Sequence, residues 1–224
     1  MRVTFLGHAA VRLDVKGQTL LIDPFLTDNP LASVKADDVE ADYILVSHAH
    51  ADHLGDTLDI AKRTGATIIS TAEVAGMCAE QGTTSHAMHV GGKQRFDFGT
   101  VRLTPAFHGS GISGGLACGF IVESEGKRLY HAGDTGLFGD MRLLAEIEPM
   151  DLALLPIGGN FTMDVEDAIR AVQMMRPRRV IPMHYATWPV IEADPEEFKR
   201  GVETYCPDVK CVILKPGETY VIDN

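Results

Sequence analysis

The chain lacks most of what would fasten a protein to a membrane, a polyanion or an oxidising compartment. No apolar run in its 224 residues approaches the ~18 needed to span a bilayer. Basic residues are in short supply, 20 against 31 acidic ones, for a formal net charge of −11. A chain this acidic repels polyanions, which argues against a general nucleic-acid binder but not against a small anionic substrate. Cysteine is limited to Cys78, Cys118, Cys206 and Cys211, with no C-x-x-C pair. That spacing does not suggest a zinc ribbon, and reduced, mostly buried thiols are the expectation. The opening stretch, Met1 to His8, reads at once as a strand and lacks the charged start, long apolar core and small-residue site of an export signal. A cytoplasmic location is the corresponding expectation. There is no repeat, low-complexity stretch or composition break, so one domain over 1–224 is expected.

What the chain does have is concentrated in six residues, His48-Ala49-His50-Ala51-Asp52-His53. Three imidazoles and a carboxylate follow the apolar run Tyr43-Ile44-Leu45-Val46, which reads as a buried strand. The cluster therefore sits at a strand's end, where open sheets place their sites. Imidazole and carboxylate are ligands for zinc, manganese, iron or nickel.

Strands are predicted at Val3 to Leu6, Ala10 to Val15, Gln18 to Ile22, Thr67 to Ser70, Gln94 to Phe98, Val101 to Thr104, Gly119 to Val122 and Arg128 to Tyr130. Further ones are predicted at Leu152 to Leu155, Val180 to Met183, Cys211 to Leu214 and Thr219 to Ile222. A helix of roughly ten residues should end at Gly65, and others should cover Ala72 to Gln81 and Glu196 to Tyr205. Val165, Ala168, Ile169, Val172 and Met175 line one face of a helix for which Asp164 is a natural N-cap. Strands in both halves with helices between them predict an α/β fold, two sheets packed face to face with helices outside.

One short motif cannot surround two metal ions. His108 closes the run Leu103 to Phe107, Asp134 lies in His131-Ala132-Gly133-Asp134-Thr135, and His184 closes the strand from Val180. Each follows an apolar run that would deliver its side chain to a sheet edge. His8 and His131 are candidates for a proton carrier or for a hydrogen-bond partner of a ligand; ordinary core histidines are the alternative. Asp23 either supports a ligand or caps the turn at Pro24. His86 and His89 read as surface residues. The glycine-rich stretches 109–115 and 158–161 are candidate pocket loops, and Tyr185 and Trp188 either line its mouth or pack in the core.

Taken together, His48-x-His50-x-Asp52-His53, His108, Asp134 and His184 resemble, in order, the ligand set of the metallo-β-lactamase superfamily. The resemblance spans nearly the whole chain. It implies a four-layer αβ/βα sandwich, with two mixed β-sheets face to face and helices outside. It also implies two divalent metal ions, zinc by the superfamily's habit, with manganese, iron or nickel open. His48, His50 and His108 would hold the first ion, Asp52, His53 and His184 the second, and Asp134 would bridge both. Phe5-Leu6-Gly7-His8-Ala9, His131 to Gly136, Pro156 to Met163 and Pro182-Met183-His184-Tyr185 are similar to small metal-dependent hydrolases related to the ascorbate-6-phosphate lactonases. The implied chemistry is attack on an ester or lactone carbonyl by a hydroxide shared between the metals, with Asp52 orienting it. A phosphodiesterase or phospholipase-D-like hydrolase with the same metals is the alternative, in which His8 or His131 would be the proton donor. A non-catalytic metal-binding protein is a third reading, although all seven ligand positions are filled. A small-molecule substrate and a homo-oligomer complete the expectation.

Overall fold

The computed structural model describes residues 1–223. One sheet contains β1 (Arg2–Gly7), β2 (Ala10–Val15), β3 (Gln18–Ile22), β4 (Tyr43–Leu45), β5 (Thr67–Thr71), β6 (Ser85–Met88) and, from the far end of the chain, β14 (Thr219–Val221). Their order is β14-β1-β2-β3-β4-β5-β6. The second sheet contains β7 (Lys93–Phe96), β8 (Gly99–Pro105), β9 (Cys118–Ser124), β10 (Lys127–His131), β11 (Leu152–Pro156), β12 (Arg179–Met183) and β13 (Lys210–Cys211), in sequential order. The helices are α1 (Ala51–Leu54), α2 (Thr57–Thr64), α3 (Ala72–Glu80), α4 (Met141–Ile147), α5 (Val165–Met175) and α6 (Pro195–Tyr205). None of them is long and apolar enough to cross a membrane.

Both sheets are mixed in the same way. Antiparallel pairing joins β14, β1, β2 and β3 in the first and β7 to β10 in the second. Parallel pairing then adds β4, β5 and β6 to the first and β11, β12 and β13 to the second. Parallel neighbours need crossovers, and here these carry helices to the outer faces.

The period of two in the strands decides which side chains meet. Val3 and Phe5 of β1, Val11 and Leu13 of β2, Leu20 and Ile22 of β3, and Leu45 and Ile69 beyond them face the second sheet in the main core. Their alternates, Ala10, Leu21, Ile44 and Ile68, face outward onto Ile60, Ala61, Val74 and Cys78 of α2 and α3. On the far side, Ala168 and Val172 of α5 and Phe198 and Val202 of α6 cover the second sheet. The result is the expected four-layer αβ/βα sandwich. The four cysteines are buried and unpaired.

Most predicted elements form, and the departures have local causes. The helix expected to end at Gly65 does end there, in the left-handed region at φ 77°, but starts only at Thr57 because Gly55 separates it from α1. The strand expected over Cys211 to Leu214 contributes only Lys210–Cys211, since the chain leaves the second sheet there to reach β14 in the first. Three elements go unpredicted, the first being α1, a single turn inside the histidine-rich segment. β6 is a polar edge strand without alternation, and α4 buries only Met141. His86, expected at the surface, lies in β6, half-buried with its ring 5.1 Å from that of Phe96.

Glu148, just past α4, ties that helix to the second sheet. Its Oε1 accepts from Lys93 Nζ at 2.8 Å and from Arg102 Nε at 3.1 Å, and the carboxylate is nearly buried. Burial alone would raise its pKa; hydrogen bonds and charge from Lys93 and Arg102 outweigh it and lower the pKa. A carboxyl whose folded pKa is depressed stabilises above its unfolded pKa, and that contribution disappears as pH falls through the folded value. Glu148→Gln is therefore expected to cost about 1–2 kcal/mol near neutrality, with the gap between variant and wild type closing at acidic pH. Urea unfolding at a series of pH values measures both.

Candidate metal centre

The chain directions of the two sheets bring six strand ends to one rim. β1, β3 and β4 run parallel in the first sheet, as do β8, β10 and β12 in the second. Beyond their C-terminal ends lie His8, Asp23, the His48-to-His53 segment, His108, Asp134 and His184 respectively. The short helix α1 returns Asp52 and His53 toward His48.

There the donors fall into two neighbouring groups. In one, His48, His50 and His108 each offer a nitrogen, all within 4.8 Å of one another. In the other, His8, His53 and His184 offer nitrogens and Asp52 a carboxylate oxygen, again within 4.8 Å of one another. Asp134 faces both, with Oδ1 3.1 Å from His53 Nε2 and Oδ2 3.1 Å from His184 Nε2 and 3.5 Å from His108 Nε2. All seven sequence-predicted ligands are thus gathered, and His8 joins the second group.

Several of these atoms are buried without a hydrogen-bond partner: Nε2 of His48 and His53, both ring nitrogens of His184, and Oδ1 of Asp134. His53 Nε2 and Asp134 Oδ1 are close but not aligned to hydrogen-bond. An unsatisfied buried polar group costs about 1–3 kcal/mol, so four residues so placed around one point suit a cation rather than folding alone. Nitrogen and carboxylate donors in this number fit borderline divalent metals.

A second layer orients the imidazoles. Asp23 accepts from Ser47 N at 2.7 Å, Ser47 Oγ at 2.6 Å and His53 Nδ1 at 2.8 Å. Ser47 Oγ, having donated to Asp23, accepts from His48 Nδ1 at 2.9 Å. Both imidazoles therefore carry a proton on Nδ1 and turn Nε2 inward, the nitrogen that a cation would take in place of a second proton. Asp23 thus orients two of the candidate ligands; a lone serine after an apolar run, as Ser47 is, carries no signal in the sequence.

The electrostatics show how tightly the site is coupled. Burial opposes charge on His53, yet Asp134 and Asp23 raise its pKa well above the usual histidine value. For Asp134 too burial is overcome, here by His53 and His184, and its pKa lies well below the carboxylate range. Asp52 is likewise lowered, burial being outweighed by His184, 3.6 Å away, and by the hydrogen bond with His8. His48 has no adequate counter-charge; burial, with His53 adding, pushes it down to about 3.

His8 is placed beside Asp52, with Nε2 3.1 Å from Oδ2 and Nδ1 2.8 Å from Thr187 Oγ1. Burial lowers its pKa to about 4, so the ring is neutral near pH 7. His131 corrects an expectation. It is fully buried, donates from Nε2 to Ala9 O at 2.9 Å and accepts at Nδ1 from Gly133 N at 3.2 Å. Neither nitrogen is free to pass a proton to a substrate; His131 is a core histidine that joins the two sheets.

The backbone at the rim is strained where it matters. His8, Asp23 and His184 occupy the left-handed region, at φ 59°, 47° and 54°. That conformation costs roughly 1–2 kcal/mol per non-glycine residue, and His184 N donating to His8 O at 2.8 Å is one of the bonds that hold it. The loop 109–115 presses on the motif: Ser110 O accepts from Ala49 N at 2.8 Å. A Cβ on Gly111 (φ 72°) would stand 2.7 Å from Ala49 C and 2.8 Å from His50 N. Gly111→Ala is therefore expected to displace His50 and weaken metal binding by about tenfold while the circular dichroism spectrum is kept. Competition against a chromophoric chelator measures it.

Beside Asp52 opens a cleft lined by Phe25, Thr27, Asp28, Asp56 and Trp188. Trp188 lines this mouth, its ring 5.0 Å from His8 and 6.0 Å from Phe25, whereas Tyr185 packs against the main core.

Residues 18–185 match the model of the beta-lactamase superfamily domain. The chain belongs to that superfamily. Within it, the chain groups with the metal-dependent hydrolases. A relative from Heliobacterium modesticaldum, a UPF0173 metal-dependent hydrolase, is 54% identical over 236 residues, covering 100% of this chain and 98% of its own. Another so named, from Natranaerobius thermophilus, is 51% identical over 219 residues, 98% of each chain. Among solved structures, Igni18, a metallo hydrolase of the hyperthermophilic archaeon Ignicoccus hospitalis, superposes with a TM-score of 0.92 at 40% identity, covering 98% of this chain and 97% of that one. The sandwich described above is the fold this chain shares with that structure.

Proposed function

We propose that this hydrolase cleaves a neutral ester or lactone at a centre of two divalent cations, zinc foremost. His48, His50 and His108 would hold one ion, Asp52, His53 and His184 the other, with Asp134 shared. The observation that carries this reading is the position of Asp134, its two oxygens directed at histidines of both groups. When bound, two such cations supply the positive charge that brings a water's pKa toward neutral and draws electrons from the group under attack.

The chain's own residues do the rest. Ser47 and Asp23 fix the rings of His48 and His53 before substrate arrives. Asp52 keeps its charge and is a quarter exposed, so it both orients water and meets solvent. With its proton on Nε2, neutral His8 donates to Asp52 Oδ2, and Thr187 holds the other side of the ring. Asp52 can take the proton that the attacking water releases and return it to the departing oxygen, while His8 holds the carboxylate in place.

The carbonyl reading is favoured over the phosphodiester one by charge. The cleft beside Asp52 has two aromatic rings, Phe25 and Trp188, and three carboxylates, Asp28, Asp52 and Asp56, but no lysine or arginine. An anionic phosphodiester would meet repulsion there, whereas a neutral apolar ester would stack on the rings.

The test is turnover by metal-reconstituted protein of neutral lactones and aryl esters beside an activated phosphodiester. Ester or lactone turnover abolished by chelator is the expected result. Phosphodiester turnover alone would replace this reading with the phosphodiesterase one.

A further inference from the structure

The opposite end of the second sheet carries a second feature, unrelated to the metal rim. β10 begins at Lys127 and ends at His131, so the two lie at opposite ends of roughly 13 Å of strand. Around Lys127 is a cleft of about 500 Å³, lined by the basic residues Lys127, Arg128, Arg176 and Arg178, one acid, Asp151, and an apolar floor that includes Met150 and Met175. In a chain with 31 acidic and 20 basic residues, four cations gathered around one acid is an inversion of the overall charge.

The partners within the cleft leave cation unmatched. Asp151 spends Oδ2 on Arg128 N at 2.9 Å, and its Oδ1 is 3.6 Å from Arg178. Arg128 itself turns to Glu123, outside the cleft, at 3.2 Å. Arg176 donates Nε to the Gln173 carbonyl, at 3.2 Å, and among the described residues meets no carboxylate. Lys127 is only 9% exposed, yet among the described residues its ammonium has neither an ion pair nor a hydrogen bond. Its stem is covered while the ammonium itself reaches solvent. A stem held in the hairpin with an unpaired ammonium at a cleft is a fixed positive charge awaiting an anion.

We propose that this cleft binds a small phosphate-bearing anion, at a site separate from the metal centre. Guanidinium groups match two oxygens of one phosphate, and lysine adds a point charge. The grouping of several cations selects a multiply charged ligand over a monocarboxylate, and the Met150 and Met175 floor suits an attached apolar group.

The probe is inorganic pyrophosphate, titrated calorimetrically into the full chain, both metal-loaded and chelator-treated. One equivalent is expected to bind the chelator-treated protein, more weakly at higher salt. Lys127→Gln and Arg178→Gln are each expected to weaken it by about tenfold, and Asp134→Asn to leave it unchanged. Arg178 is largely exposed, so its variant tests the site even if Lys127→Gln folds poorly. Absence of saturable binding overturns the proposal. So does binding that needs the metal, or that survives Arg178→Gln while being lost in Asp134→Asn, because the ligand would then belong to the metal centre.

Discussion

Asp134→Asn is expected to lower kcat/KM by about a thousandfold, equivalent to roughly 4 kcal/mol of transition-state stabilisation. The substitution is nearly isosteric, so the side chain still fits among His53, His108 and His184. What changes is charge and polarity. An amide has no negative charge to share between two cations, and its NH2 group turns a donor toward nitrogens that must themselves donate electron pairs. Asp134 also holds His53 and His184 at raised pKa in the cation-free protein. Its loss lowers the pKa of both rings, with Asp23 still raising that of His53 and Asp52 that of His184, so the apo fold should survive. Elemental analysis and turnover on the same sample decide the matter: wild-type turnover at full metal content would remove Asp134 from the shared position.

The second large effect is expected one layer further out. Asp23→Ala removes the acceptor for Ser47 N, Ser47 Oγ and His53 Nδ1, three donors in a fully buried setting. It also places alanine at a φ of 47°, which aspartate and asparagine tolerate better. A loss of about 3–5 kcal/mol in unfolding free energy is expected, together with a 10–100-fold fall in metal affinity. Asp23→Asn keeps the backbone conformation and one acceptor, and should recover much of the stability but less of the affinity. That split is the informative readout. Were Asp23 a turn cap only, both variants would bind metal normally in whatever fraction remained folded.

The site was legible in the sequence to the extent that its residues are chemically unusual and stand at strand ends. His48 to His53, His108, Asp134 and His184 combine both properties, and the sheets place all of them on one rim. Ser47 and Thr187 have common side chains, and only the fold shows that they touch His48 and His8. His131 misled because nearness in sequence to Asp134 says nothing of direction: the last residue of β10 points between the sheets, while Gly133 reverses the chain to present Asp134 at the rim. The strands were read where alternation marks a buried face. β6 was missed because its polar residues show no such contrast, and α4 because it buries too little to impose a period.

The rim draws its donors from nearly the full length of the chain, from His8 to His184, and Thr187 steadies His8 across 179 positions of sequence. During synthesis, therefore, no nascent chain that stops short of residue 184 holds the whole donor set, however well its first sheet has formed. That sheet is itself unfinished until β14 arrives to pair with β1 at the start of the chain. Histidines made early must wait, without their final partners, for the last fifth of the polypeptide. Completion of the proposed two-ion centre would thus be a late event in the protein's folding, and a product terminated before His184 would lack it.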